Sequence, residues 1–190
     1  MCSACYKNMM TIRDTRRQAA IELMADHLLR EGMSAASLRP LAAAAGTSDR
    51  MLLYYFADKD ELVTATLETV AVRLTGVLDN AISVGTRLPF TNLLMAVWGI
   101  VGSAELLPYM RLWLELAAAS AREQEPHRTM ATGIMNGFVR WTGDHLAVDK
   151  LVSHEESTAL LLATIEGALF LDAIGRRDLA DLAVSSAAKR

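Results

Sequence analysis

One pattern dominates the chain. Apolar residues recur at i, i+3, i+4 and i+7 through most of its 190 residues, and strict alternation is nowhere sustained. That period belongs to helices with one buried face, so the helices must pack on one another. Aromatics make up 6% of the sequence and four prolines and eleven glycines interrupt it, too few for the many tight turns of a β-sandwich or barrel. A hydrophobic fraction of 52% against 22% charged residues excludes a natively unfolded chain. The fold class read from the sequence is all-α.

The punctuation places the elements. A first helix is expected over Thr11 to Glu31, with Ile12, Ala19, Ala20, Leu23, Met24 and Leu28 as its apolar stripe and Gly32 as its stop. Ser37 caps a short segment that ends at Gly46, and Ser48 caps a second one. Asp58, with Glu61 three residues on, opens a long helix carrying Leu62, Val63, Leu67, Val70, Leu74, Val77 and Leu78. Further helices are expected near Phe90 to Val101, Tyr109 to Arg122, His127 to Leu146, Ser153 to Ile174, and after Asp178. Pro89, Pro108 and Pro126 stand at the joints. Residues 1–10 read as a flexible tail, 11–58 as a small head and 59–190 as a larger helical bundle.

The longest charge-free run, Leu88 to Ala104, holds Pro89, Asn92, Gly99 and Gly102 and falls short of the roughly twenty apolar residues a spanning helix needs. It reads as a core helix. The N-terminus lacks the apolar stretch of a signal peptide, so the expected location is cytoplasmic. Cys2 and Cys5 form C-x-x-C with no preceding strand and no second ligand pair, which argues against redox or zinc chemistry. His27, His127, His145 and His154 have no metal-ligand spacing, and no HExxH, P-loop or dinucleotide glycine pattern occurs. No enzyme activity, cofactor or metal is expected.

The informative segment is Ser37 to Leu62, SLRPLAAAAGTSDRMLLYYFADKDEL. Two short helices meet across Ala45-Gly46-Thr47-Ser48, a turn too tight for antiparallel packing, which makes a helix-turn-helix. Leu38, Leu41, Ala42, Ala45, Leu52 and Phe56 have the spacing to pack the corner. Ser48, Asp49, Arg50, Met51 and either Tyr54 or Tyr55 then face outward, as a helix entering the major groove of DNA requires. A helical hairpin kept soluble by these charges satisfies the same pattern equally well.

The segment resembles the signature of the TetR family of transcriptional repressors. It carries Gly32, Ser37-Leu38-Arg39, Leu41-Ala42, Ala45-Gly46-Thr47-Ser48, Tyr55-Phe56, and Lys59 with Leu62 in the family's order. The resemblance implies phosphate contacts from Ser48, Tyr55 and Lys59, and backbone or groove contacts from Ser37 and Arg39. Thr47, in the turn, belongs to the same contact set. Arg50 is the candidate base reader, because bidentate Arg to guanine is the commonest specific contact; Met51 and Leu53 offer apolar contact to a thymine methyl. Two departures stand out. Leu53 occupies the place of a tyrosine, whose role Tyr54 takes over in part, and Asp49 repels phosphate unless it accepts from cytosine or pairs with Arg50.

For the body, the resemblance implies a homodimer on a (pseudo)palindromic double-stranded operator, released by a small, mostly apolar effector. Gly133, Gly137, Ala163 and Gly167 sit at small-x-x-x-small spacing on the last long helix pair. Such spacing serves an intersubunit bundle or close packing within the chain, and Trp141 and Phe170 join the expected dimer surface. Trp98, Met110, Trp113, Met135 and Phe138, with Glu115 and Glu166 as polar anchors, are the expected effector site; plain core is the alternative reading of such stripes. A helical ligand-binding or protein-docking module with weak or lost DNA binding is the rival function. The net charge of −3 conceals a split: residues 1–57 hold seven basic against five acidic residues, residues 58–190 twelve against seventeen. A head at +2 is weakly basic for DNA, so binding must rest on a few placed cations.

Overall fold

A computed structural model describes residues 12–122, 125–147 and 153–189. The expected tail, with Cys2 and Cys5, lies outside them. Among the described residues the elements are α1 (Ile12–Glu31), α2 (Leu38–Ala44), α3 (Asp49–Tyr55), α4 (Lys59–Ala81), α5 (Phe90–Val101), α6 (Leu107–Ser120), α7 (His127–His145), α8 (His154–Ala173) and α9 (Arg177–Ala187). Short 3₁₀ turns at Met33–Ala35 and Ala104–Leu106 add to the expected elements. The chain divides into two compact units, residues 1–70 and 71–190. The division falls inside α4, twelve residues beyond the expected boundary at residue 58.

In the first unit, α1 packs on α2 and α2 on α3. The buried face of α1 is Ala20, Ile21, Met24, Ala25 and Leu28. Ile12 and Leu23, expected on that face, are 76% and 47% exposed. The helical advance of 100° per residue puts both to one side of the stripe centred on Met24. The α2–α3 corner follows from backbone chemistry. Gly46 adopts φ 64°, a left-handed conformation costly for any residue with a Cβ. The Thr47 N–H then donates to the Ala42 carbonyl at 2.9 Å and the Gly46 N–H to Ala43 at 3.1 Å, closing the last carbonyls of α2 in a Schellman pattern. Leu41, Ala42, Leu52, Tyr55 and Phe56 are buried around the corner. Asp58 starts α4 by accepting the Glu61 N–H at 2.8 Å.

The second unit is built from a core of Leu74, Leu78, Ile82, Leu93, Leu94, Val97 and their neighbours through α8 and α9. Each of its three tryptophans donates its indole N–H to a carboxylate on another helix. Trp98 reaches Asp181 at 2.8 Å, Trp113 reaches Glu166 at 2.7 Å, and Trp141 reaches Asp79 at 2.6 Å. A buried indole must find such an acceptor or bear the cost of an unmade hydrogen bond. Trp98 is further covered by Arg177, whose guanidinium lies 4.5 Å from the ring centroid and donates to the Gly102 carbonyl at 2.9 Å.

Two expectations change here. Trp141, placed on the dimer surface by sequence, is buried, hydrogen-bonded to Asp79 and stacked on His145 at 4.3 Å. Trp98 and Met110, expected at an effector site, belong to the core of the unit. The charge-free run splits into α5 and the start of the next helical stretch, which bend by 65° at the break. Among the described residues no single helix is long and apolar enough to cross a membrane.

Candidate functional site

The outward surface of the first unit is laid out by α3. Ser48 is its N-cap, its hydroxyl accepting the Met51 N–H at 3.3 Å. Because Leu52, Tyr55 and Phe56 share the buried side, Asp49, Arg50, Met51, Leu53 and Tyr54 are left in solvent. The open choice between the tyrosines is thereby decided: Tyr54 is 59% exposed and Tyr55 9%. Tyr55 meets Tyr54 edge-on, with ring centroids 5.5 Å apart, and its ring is part of the core, contrary to the simplest picture of a phosphate contact.

Around α3 stand the other expected contacts. Ser37 caps α2 through its backbone alone, which leaves its exposed hydroxyl free of capping. Arg39 lies in the first turn of α2 and Lys59 in the first turn of α4, both exposed. Thr47 is half-buried in the turn. Arg39, Arg50 and Lys59 make no ion pair among the described residues, and Asp49 does not pair with Arg50.

Two α1 cations differ. Arg13 donates to the Tyr54 carbonyl at 2.8 Å and lies 4.8 Å from the Tyr54 ring centroid. Arg17 lies over Phe56 at 4.5 Å and pairs with Glu61 at 3.0 Å. The other Glu61 oxygen takes the Ala57 N–H. Neither cation's contacts can be read from the sequence, since the partners are about forty residues away.

In the second unit three expected effector residues come together. The Trp113 indole donates to Glu166, and Phe138 meets Trp113 edge-on at 6.3 Å, so α6, α7 and α8 each contribute one side chain. Burial pushes the Glu166 carboxyl above its ordinary pKa, and the Trp113 hydrogen bond offsets part of that rise. Met135 is half-buried on α7, whereas Glu115 is exposed on α6 and engaged with another group. An open groove of about 370 Å³ runs elsewhere, between α8 and α9, lined by Ala163, Gly167, Leu171, Ala183 and Ala187 among others. It contains none of the expected effector residues. No group of three metal-binding side chains occurs among the described residues.

Of the small residues of α7 and α8, Gly133, Ala163 and Gly167 are exposed and Gly137 is half-buried, and nothing lies within 4 Å of a Cβ built on Gly133 or Gly167. Those two glycines therefore admit no close neighbour within the chain. Phe170 is 57% exposed on the same side of α8 as Ala163 and Gly167.

Residues 17–66 match the family of bacterial regulatory proteins designated tetR. Over 115 residues the chain is 30% identical to the HTH-type transcriptional regulator BetI of Pseudomonas fluorescens. That match covers 60% of this chain and 58% of the relative, so it spans little more than half of BetI's length. Among solved structures, a TetR-family transcriptional regulator from Cytophaga hutchinsonii superposes with a TM-score of 0.74 at 16% identity, covering 94% of each chain. A TetR-family regulator from Rhodococcus sp. gives 0.72 at 18% identity, covering 90% of this chain and 95% of its own. Residues 17–66 thus carry the tetR-family domain of bacterial regulatory proteins, and the all-helical fold is the one these solved structures share.

Proposed function

We propose that the chain is a ligand-responsive repressor that binds a (pseudo)palindromic duplex as a homodimer. The observation that carries the DNA reading is the exposed first turn of α3, with an unpaired Arg50 on a helix anchored by its opposite face. Arg50 reads a base edge in the major groove, while Arg39, Lys59 and the Ser37 and Ser48 hydroxyls hold flanking phosphates. A single head covers one half-site, and two related by a twofold axis cover a palindrome.

The dimer reading is supported by α8, whose outward side is largely apolar like its inward one. Leu161, Ile165, Ala168 and Leu169 face inward, while Leu160, Ala163, Gly167 and Phe170 face solvent, with Ile174 just beyond the helix. An exposed apolar helix face calls for a partner to cover it. For the effector, the Trp113–Phe138–Glu166 cluster offers aromatic surface with one orienting carboxyl. The effector acts by shifting α4, which runs without a break through both units, so that the two heads no longer match half-sites one turn apart.

Asp49 favours a second reading, because an exposed carboxylate on the first turn of α3 opposes phosphate. In that reading the chain is a helical ligand-binding or docking module without DNA affinity. Selection of duplexes from random DNA by the full chain separates the two. Enrichment of one palindromic sequence, bound by two chains with an affinity that falls with salt, is expected. Recovery of unselected sequence overturns the repressor reading.

A further inference from the structure

We propose that Arg13 is a positioning residue: it sets the pose of α3 and of its exposed Tyr54 ring, and does not serve as a phosphate-binding cation. The inference rests on the reading that the outward face of α3 meets DNA. It starts from a weakness of α3. Seven residues make two turns, far below the length at which a helix is stable alone in water. Its C-terminal end passes at Phe56 into extended backbone, so its last carbonyls lack helical donors.

Arg13 meets both needs. One guanidinium N–H closes the Tyr54 carbonyl at 2.8 Å, placing a cation at the negative end of the helix. The same group lies 4.8 Å from the Tyr54 ring centroid and restricts a side chain that is otherwise 59% exposed. From the other side the Tyr55 ring meets Tyr54 edge-on. Tyr54 is therefore held between a cation and a core ring although it faces solvent. Fixing a solvent-facing aromatic in this way adds only modestly to folding, but an ordered ring loses less freedom when it docks on a partner.

Arg17, one turn further along α1, holds the next joint through Phe56 and Glu61. Both members of the Arg17–Glu61 pair are about a third or more exposed, at 32% and 43%, so the pair contributes little stability by itself. Its effect is placement. The Arg13 charge already faces a carbonyl and a ring, which leaves Arg39, Arg50 and Lys59 as the unpaired cations of the expected contact set.

The test uses the full chain and its selected palindromic duplex, with random duplex as control. Affinity is measured across salt for the wild type, Arg13→Ala, Arg13→Lys, Tyr54→Leu and the Arg13→Ala/Tyr54→Leu double variant. Arg13→Ala should weaken selected-duplex binding by about tenfold, from the loss of one charged hydrogen bond and one cation–π contact. It should leave the salt slope unchanged and have a smaller effect in the Tyr54→Leu background, where only the carbonyl contact remains to be lost. Arg13→Lys, which keeps a cation over the ring, should recover most of the loss.

A slope reduced by about one, with the loss persisting in full in the Tyr54→Leu background, makes Arg13 a phosphate contact and overturns the proposal. So does unchanged affinity in Arg13→Ala. Equal loss on both duplexes with a lowered melting temperature and no rescue by lysine reduces Arg13 to a fold-stabilising role and also overturns it. If the wild-type chain prefers no duplex, the DNA-binding reading itself falls, and this inference with it.

Discussion

The two units are held together differently. In the first, the contacts that make the α2–α3 turn and start the helices are short in sequence: Gly46 closes α2 over five residues, Ser48 caps α3 at a distance of three, and Asp58 caps α4 likewise. In the second, the polar ties are long. Trp113 and Glu166 are 53 residues apart, Trp141 and Asp79 are 62, and Trp98 and Asp181 are 83. Local contacts fix a motif that can be recognised wherever it occurs, whereas distant ones fix a packing that changes whenever one partner does. The motif-built unit is where the family profile matches, at residues 17–66.

The strongest way to break this contrast is Phe56→Ala. Phe56 is 1% exposed, and its truncation should destabilise the first unit by about 3–5 kcal/mol. All three tryptophans lie in residues 71–190, so their fluorescence reports the second unit alone. The first unit's share of the helical circular dichroism, and duplex binding, should be lost well before the tryptophan transition. Coincident transitions would mean that the units unfold as one.

A second comparison lies within the body. Trp113→Phe strands a carboxyl that burial already disfavours and should cost about 1–3 kcal/mol. Trp98→Phe should cost less, about 1 kcal/mol, because Asp181 is exposed and keeps Arg177 at 3.2 Å. Equal denaturation midpoints for the two variants would show that the acceptor's environment does not matter.

Gly46→Ala meets no atom within 4 Å but must hold φ 64°, so it should destabilise the first unit by about 1–2 kcal/mol through backbone strain alone. A gain in stability would contradict the left-handed turn. The smallest effect is on pH dependence. Folding raises the Glu166 pKa above its ordinary 4.5, so its ionisation costs stability as pH rises from that value through the raised one. The cost is absent at lower pH. Glu166→Gln should therefore gain on the wild type as pH rises through that window, as read by denaturant unfolding at several pH values.

What could be read from sequence follows the same division. Helix positions, the α2–α3 turn and the Ser48 cap were legible because one short window holds both the cause and the structure. The tyrosine that faces outward was not, since Tyr54 and Tyr55 differ only by 100° around α3, and packing decides which is buried. The Trp113–Phe138–Glu166 grouping had all its members named, but nothing in their spacing joined them. Trp141 was misplaced for a related reason. Its side of α7 looks continuous with the glycine stripe in sequence, yet Asp79 and His145 draw the ring inward. The Arg13 and Arg17 contacts across α1, α3 and α4 carried no sequence signal at all.

In the proposed function, α3 reads DNA through Arg50 while Lys59 only holds the backbone. Its most direct test measures Arg50→Ala and Lys59→Ala on the selected duplex, on single-base variants of it and on random DNA, across salt. Arg50→Ala should lose about 1–3 kcal/mol on the selected duplex, with preference relaxed at one base position. Lys59→Ala should weaken binding evenly and lower the salt slope by about one. Equal losses for Arg50→Ala on selected and random DNA would contradict the account.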